Sequence, residues 1–316
     1  MSANSMSSNA NKPIRKDSGA TRLRAVLLVF FGGACYGFNA TCYKLSYAMG
    51  FSSAQIAAAQ MWFALALFAI MLLVDRVRGH KWTSLKRTEY LKLLGIGVVT
   101  CSTSIFYTYA MSVLPVPLAL TLLFQFTWIG TVIQVIMTKS APAFSQVASA
   151  VIILVGTVFA SGLYETDLST ADPTGIAAAL IAAICCALFL ALSGRIQPKC
   201  SQAQRGALIC AGAVIASHLI CPDFVISGVL LQGIAPLGLL TGAFGFLLPV
   251  LLFGLGTPHL PAGLSSVLAA SELPAGLFVA MVVLGTPIGA VEWMGVATIL
   301  VGVCVSQLQF LPYKKK

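Results

Sequence analysis

The sequence is poor in charged residues, and this scarcity excludes most water-soluble folds. Of 316 residues only 9% are charged, whereas 58% are hydrophobic. In an ordinary soluble domain about a quarter of the residues are charged. A soluble chain of this length buries only part of its surface and cannot hide so many apolar side chains. The composition therefore predicts an all-α protein that lies in a lipid bilayer.

Sequence motifs for several common chemistries are also missing. The chain has no GxxxxGK[ST] phosphate-binding loop, so nothing supports ATP-driven pumping, and no HExxH zinc motif. Its nine cysteines include no CxxC pair or zinc spacing. Most of them lie inside apolar runs, where cysteine acts as a small hydrophobe. We expect no metal, no cofactor and no catalytic residue.

The apolar residues fall into ten runs, each close to the roughly 20 residues that a helix needs to cross a bilayer. Short segments with turn residues join the runs, and none is long enough for a second, soluble domain. The polar stretch 1–23 predicts a disordered cytoplasmic tail, and 311–316 a short basic one. The runs are residues 25–46, 53–74, 90–112, 115–138, 142–163, 174–195, 206–222, 232–256, 260–284 and 288–310.

The basic residues fall on one side of the predicted membrane. If the N-terminus is inside, the inner loops and tails hold 18 of the 19 lysines and arginines, including Arg205 in the loop 195–206. The outer loops hold none, and Lys44 lies near the outer end of the first run. Cytoplasmic loops carry such an excess. We therefore expect an even number of helices with both termini in the cytoplasm, and no nucleic-acid partner despite the net charge of +10.

A weak internal repeat appears when the chain is shifted by 146 residues. Leu114-Pro115 then falls on Leu260-Pro261, and the last residue of Ile153-Leu154-Val155-Gly156 falls on Gly302. A unit of five helices is odd, so the second copy must be inverted in the membrane. Inverted repeats are typical of secondary transporters, whose binding site lies near the midplane between the halves. The predicted five-helix repeats are residues 24–163 and 174–310.

Glu272 is the only acidic residue near the middle of an apolar run. An ionised carboxylate at that depth costs at least ~2.5 kcal/mol, so it must face a cavity or a partner. It would couple proton movement to transport or pair with a solute amine; alternatively, a protonated carboxyl bonds a neighbouring helix. Ser265, Ala269 and Gly276 share its helix face, where small side chains leave space.

Other polar side chains in the runs are candidates for the wall of a solute cavity. Gln125 and Trp128 lie one turn apart in the fourth run, and Ser271 aligns with Gln125 in the repeat. Hydrogen bonding and aromatic packing between helices would explain these residues as well as a solute-binding wall does. Lys44 either snorkels to the interface or binds a solute carboxylate. The further candidates are Tyr36, Asn39, Gln60 and Tyr107.

Several short segments resemble one transporter family. The stretch from Tyr36 through Asn39 to Lys44 resembles the Trp-Gly-x-Asn…Lys signature of EamA-type members of the drug/metabolite transporter superfamily. The segments ending at Gly156 and Gly302 resemble the family's Leu-Ile-x-x-Gly. The resemblance implies an electrochemically driven carrier of two five-helix repeats, often an exporter of amino acids or other metabolites.

Some positions depart from the family pattern. Gln60 stands where many members have Arg, and Lys139 and Gly285 stand where many have Glu. Trp128 replaces the proline of the fourth helix, although Pro274 is kept in the ninth. These departures concern substrate and coupling rather than fold.

Together these features predict a multi-pass carrier of the bacterial inner membrane that moves a small organic solute, such as an amino acid, by alternating access. Export is the expected direction, with Glu272 as the coupling or recognition group. Its partners would be the solute, the bilayer and protons, and a homodimer is left open. The alternatives are a passive facilitator or channel, a non-transporting sensor, or an intramembrane enzyme acting on lipid. The expected site residues are Tyr36, Asn39, Lys44, Tyr107, Gln125, Trp128, Ser271 and Glu272.

Overall fold

The computed structural model describes residues 19–79, 81–169, 171–285 and 287–307. Within these residues helical segments follow the apolar runs and are joined by short loops. Three of the segments are interrupted near mid-length. The helices are α1 (Gly19–Ala48), α2 (Ser53–Val77), α3 (Arg87–Val113), α4 (Val116–Leu123 and Phe126–Thr138), α5 (Phe144–Ala160), α6 (Pro173–Arg195), α7 (Gln202–Ile220), α8 (Ile234–Gly242, the π-helical Ala243–Leu247 and Leu248–Gly256), α9 (Ala262–Ala269 and Glu272–Leu284) and α10 (Ala290–Ser306).

The first helix begins earlier than the sequence predicts. The tail assigned to 1–23 overlaps the described residues from Gly19 onward, and the chain is already helical there. Arg22 and Arg24 are good helix formers, so the helix extends past its apolar run into the basic segment. The rest of that predicted tail, and the tail 311–316, lie outside the described residues.

Eight helices of the described residues are long and apolar enough to cross a membrane. The shorter apolar helices α5 and α10 have 17 residues each. Such a helix extends roughly 25 Å, somewhat less than the ~30 Å of a typical hydrocarbon core. The predicted all-helical, multi-pass membrane class is confirmed, and crossing of the bilayer by all ten helices stays a prediction.

The helix boundaries recur at the offset seen in the sequence. The second pieces of α4 and α9 begin at Phe126 and Glu272, which are 146 residues apart. These pieces end at Thr138 and Leu284, and the residues that follow, Lys139 and Gly285, both have left-handed backbone. At the same offset, α5 and α10 begin and end at equivalent positions.

Helix packing follows the same correspondence. Helix α1 packs against α8 and α9, and its counterpart α6 packs against α3 and α4. Helix α2 packs against α7 and α8, while α7 packs against α2 and α3. Helices α4 and α5 each pack against their own counterparts, α9 and α10. The helix contacts are therefore mainly between the first five helices and the last five. The two groups enclose a space between them.

Arg205 differs from its predicted place in an inner loop. It lies in the first turn of α7 and is 1% exposed. Its guanidinium donates to the carbonyl oxygens of Ser193 at 3.2 Å and Ile196 at 3.5 Å, at the end of α6. The carbonyls at a helix C-terminus stabilise a cation. This helix end explains how the arginine is accommodated in the interior.

Candidate functional site

The interruption of α9 places Glu272 at the start of a helical piece. The first piece ends at Ala269, and Glu272 is the first residue of the second. Two residues later, Pro274 lacks a backbone N–H, so the regular hydrogen-bond ladder is broken at this point. The exposed N–H groups at a helix start favour negative charge. The carboxyl group is 9% exposed and lies within the protein.

A cavity at mid-length of the bundle lies against this carboxyl group. The empty space between its side chains, counted together with its opening to solvent, is about 480 Å³. Its wall combines aromatic and hydroxyl groups from helices of both five-helix groups. Among the described residues it has no basic side chain. The lining residues are Tyr36, Asn39, Tyr43, Thr100, Thr103, Ser104, Tyr107, Leu123, Cys186, Phe189, Gly245, Phe246 and Glu272.

Polar atoms in this central cavity lack protein partners. The Oδ1 atom of Asn39 and the hydroxyl of Tyr107 are buried without a hydrogen bond. The carboxyl group of Glu272 has no hydrogen bond or ion pair within the described part of the chain. Buried polar groups normally have partners, because leaving one unpaired costs ~1–3 kcal/mol. The central cavity is therefore suited to water or a polar solute.

One side chain fixes the geometry of the cavity wall. Gln60 accepts hydrogen bonds from Tyr43 at 3.0 Å and from Ser104, and donates to the carbonyl oxygens of Gly245 at 3.0 Å and Thr241 at 3.3 Å. The π-helical segment of α8 makes such a carbonyl accessible, because a π-turn disturbs the regular ladder. These bonds connect α1, α2, α3 and α8.

Gly245 leaves the space that this contact uses. A Cβ atom at this position would overlap the side-chain amides of Asn39 and Gln60. From the sequence Gln60 is only one candidate among several, and Tyr43, Ser104 and Gly245 are not predicted as site residues. The helical pattern gives no sign of Gly245, since it is one of 28 glycines in an apolar chain.

A second cavity also borders Glu272. It is largely apolar, and its empty space, counted together with its opening to solvent, is about 700 Å³. Lys44, which is exposed, and Thr41, whose Oγ1 is buried without a partner, are its polar residues besides Glu272. It extends from Glu272 towards Leu284, at the predicted outer end of α9. The remaining lining residues are Gly37, Ala40, Met111, Val116, Leu120, Leu273, Gly276, Leu277 and Ala280.

Aromatic rings pack beside the central cavity, and this cluster of Phe253, Tyr36 and Phe189 is called the Phe253 plug. The buried ring of Phe253 lies 5.8 Å from the ring of Tyr36 and 5.9 Å from that of Phe189, centroid to centroid. Phe253 also lies against α1 at Gly32, twelve residues before Lys44. At ~1.5 Å per residue these positions on α1 are roughly 18 Å apart, so the plug and the second cavity lie at different depths.

Five of the predicted site residues border a cavity. Tyr36, Asn39 and Tyr107 line the central cavity, Lys44 lines the second, and Glu272 lines both. The other three are not among the described lining residues of either cavity.

These three residues make other contacts. Trp128 is 44% exposed, and its Nε1–H donates to Gln125 at 2.8 Å on the outside of α4. Ser271 is buried and donates to the carbonyl oxygen of Phe30 at 2.6 Å, so it joins α9 to α1. Among the described residues, no group of three or more His, Cys, Asp or Glu could hold a metal ion.

Comparisons with known proteins agree with this architecture. One crystal structure resembles the chain with a TM-score of 0.69 at 15% sequence identity, over 92% of this chain and 99% of the other. At that identity the likeness concerns the fold alone. No curated protein matches the sequence. Residues 23–162 match the EamA-like transporter family. The EamA-type resemblance predicted from the sequence is thus confirmed for the first five helices, α1 to α5, which this match spans.

Proposed function

We propose that the chain is a secondary-active carrier of a small organic solute, such as an amino acid or related metabolite, and that it exports the solute in exchange for protons. The observation that carries the proposal is the carboxyl group of Glu272, which borders two cavities and has no partner in the described residues. A carboxyl group held between two compartments can take up a proton from one and release it to the other.

The lining of the central cavity supports a solute with hydrogen-bond donors. Glu272 and the Oδ1 atom of Asn39 are acceptors, and among the described lining residues no cation competes for them. A solute amine and a proton would compete for the same carboxylate. Binding of the solute therefore releases a proton from Glu272. Protonation of Glu272 on the other side of the membrane then displaces the solute, so solute and protons are exchanged.

Two features support alternating access. The second cavity reaches from Glu272 towards one end of the bundle, and the Phe253 plug lies beside the central cavity at a different depth. Helices α4 and α9 are interrupted at equivalent positions. The backbone hydrogen-bond ladder is already broken there, so each helix can bend without losing further backbone hydrogen bonds. We propose that the two halves, 24–163 and 174–310, are inverted and rock about the central cavity.

The proposed membrane arrangement follows the charges. Ten crossings with both termini in the cytoplasm put the basic segment after α2 and the residues Arg195 and Lys199 on the inner side. Short loops and alternating helix directions make each helix of one half antiparallel to its counterpart. We assign the chain to the bacterial inner membrane on the same grounds.

The test is solute flux in proteoliposomes loaded with labelled amino acids and related metabolites, with and without a pH gradient. Wild type should accumulate a solute when the gradient is present. Glu272→Gln should retain exchange of labelled for unlabelled solute and lose accumulation, since the amide cannot carry a proton. Glu272→Asp should recover part of the coupled flux.

The matched control is Glu292→Gln. Glu292 accepts a hydrogen bond from the Gly289 N–H at the start of α10 and borders neither cavity. Removing its charge should leave coupling unchanged. Identical, gradient-independent flux in wild type and Glu272→Gln would refute proton coupling and favour a facilitator. Flux that does not saturate would favour a channel, and no flux of any solute would favour a sensor.

A further inference from the structure

A third cavity lies at the end of the bundle where α2 ends and α7 begins. It is formed by the end of α2, the segment after it and the start of α7, and its empty space, counted together with its opening to solvent, is about 1130 Å³. It is separate from the two cavities at Glu272, with which it shares no lining residue. The lining residues are Leu72, Leu73, Asp75, Arg76, Gly79, Lys81, Trp82, Ser201 and Gln204.

The wall of this cavity is held in place by a buried amide. Gln204 is 1% exposed, and its side chain accepts from the Thr83 N–H at 2.9 Å and donates to the Thr83 carbonyl oxygen at 2.7 Å. Trp82 is fixed in turn, because its Nε1–H donates to the Tyr90 hydroxyl at 3.2 Å. These hydrogen bonds hold the segment after α2 against α7.

The cavity is lined by cations at the end of α2 and by apolar side chains one helical turn earlier. Arg76 and Lys81 supply two positive charges against one negative charge from Asp75. Leu72 and Leu73 lie one helical turn before Arg76, and so about 5 Å further along α2 towards the bilayer centre. Leu73 is 63% exposed, and Trp82, at the cationic level, is 54% exposed. Tryptophan is typical of the boundary between headgroups and hydrocarbon.

This order of groups matches a phospholipid. We propose that the cavity binds the headgroup of one anionic phospholipid, with its phosphate between Arg76 and Lys81 and an acyl chain along Leu72 and Leu73. The hydroxyl of Ser201 already accepts from the Gln204 N–H at 3.1 Å, and its own hydrogen can be donated to a phosphate oxygen. Basic pockets at helix ends on the cytoplasmic side suit such headgroups.

Positive charge near the membrane also attracts anionic lipid without any defined site, and the segment after α2 allows the two cases to be separated. Arg78 and Lys86 belong to the same basic segment, are exposed, and do not line the cavity. A general surface attraction depends on all four cations alike. A built site depends on Arg76 and Lys81 alone.

A bound lipid would join the two groups of five helices. Its contacts would come from α2 in the first group and from Ser201 and Gln204 beside α7 in the second. A ligand that binds only the folded state raises its stability. The site would therefore make stability of the α2–α7 contact depend on the lipid composition of that leaflet.

The test is native mass spectrometry of the full chain in neutral detergent, titrated with dioleoylphosphatidylglycerol. Wild type should bind one lipid with saturable affinity. Arg76→Gln and Lys81→Gln should each weaken binding roughly fivefold, since a cation near a lipid surface contributes about 1 kcal/mol. The matched controls Arg78→Gln and Lys86→Gln remove the same charge and should leave the affinity unchanged.

Several results would overturn the proposal. Equal losses in all four variants would indicate general attraction, and equal affinity for dioleoylphosphatidylcholine would exclude recognition of the anionic headgroup. Competition by inorganic phosphate at comparable concentration would show that the apolar wall is not used. Leu73→Gln tests that wall directly and should weaken lipid binding. Solute flux is not part of the readout, so failure here leaves the proposed function standing.

Discussion

Replacement of Gln60 by methionine should destabilise the fold at the central cavity. Methionine has a similar length and an unbranched side chain, so packing is largely kept while four hydrogen bonds are lost. Side-chain hydrogen bonds in a membrane protein contribute on average ~0.6 kcal/mol each, which gives roughly 2.4 kcal/mol for the set.

The estimate lies well below the cost of fully buried, unpaired groups. Four such groups would cost at least ~4 kcal/mol at ~1–3 kcal/mol each. Ser104 and Tyr43 line the central cavity, however, where water can replace the lost partner. The lower figure is therefore the expected one.

The assay is reversible unfolding in mixed micelles at increasing dodecyl sulfate, followed by far-ultraviolet circular dichroism. A double-mutant cycle of Gln60→Met with Tyr43→Phe should give a coupling energy of about 0.6 kcal/mol, and at most ~1.7 kcal/mol. Thr103→Val is the matched control, because Thr103 lines the same cavity but donates only within its own helix, to Val99. A loss below about 0.5 kcal/mol for Gln60→Met would refute the reasoning, since that is less than one average bond.

Two further predictions concern helix packing and helix capping. At Gly97 a Cβ atom would overlap the Ile209 carbonyl oxygen, whereas at Gly95 nothing lies within 4 Å; Gly97→Ala should cost at least ~1–3 kcal/mol, and Gly95→Ala should be neutral or stabilising by up to ~1 kcal/mol in the same unfolding assay. Hydrogen bonds from the hydroxyl and N–H of Thr174 lower the pKa of Asp172. The stabilisation of the folded state by this carboxylate is therefore fully present above the ordinary pKa of ~3.9, and it is lost as the pH falls through the lower pKa of the folded state. Asp172→Asn keeps a capping oxygen and should flatten the fall in melting temperature over that acidic range; an unchanged pH profile would contradict the capping role.

The helices were predictable because a bilayer demands long apolar runs, and this chain has little else. The same property hides the site. In a helix that is apolar on every face, periodicity cannot tell which face meets lipid and which meets a cavity. Gln125 and Trp128 illustrate this, since they satisfy one another on the outside of α4 instead of lining the cavity.

The sequence signal at Glu272 rests on an energetic cost rather than on a periodic pattern. Glu272 had to border a cavity or a partner because an unpaired carboxylate in lipid is expensive, and it borders two cavities. Gln60 gave a weaker indication of a site. Its amide carries no charge and can find hydrogen-bond partners anywhere inside a helix bundle. The role of Gly245 depends on two side chains from other helices, which no local sequence pattern contains.

The buried guanidinium of Arg205 has a consequence for biosynthesis. Helix α7 is the least apolar of the candidate spans, with a mean hydropathy of 1.3 in its best window, and it carries this cation in its first turn. The carbonyl oxygens that stabilise the cation belong to Ser193 and Ile196, and α6 has the highest value, 2.7. We therefore expect α7 to leave the translocation channel together with α6, as a helical hairpin, because the lone helix lacks the acceptors that make its insertion favourable.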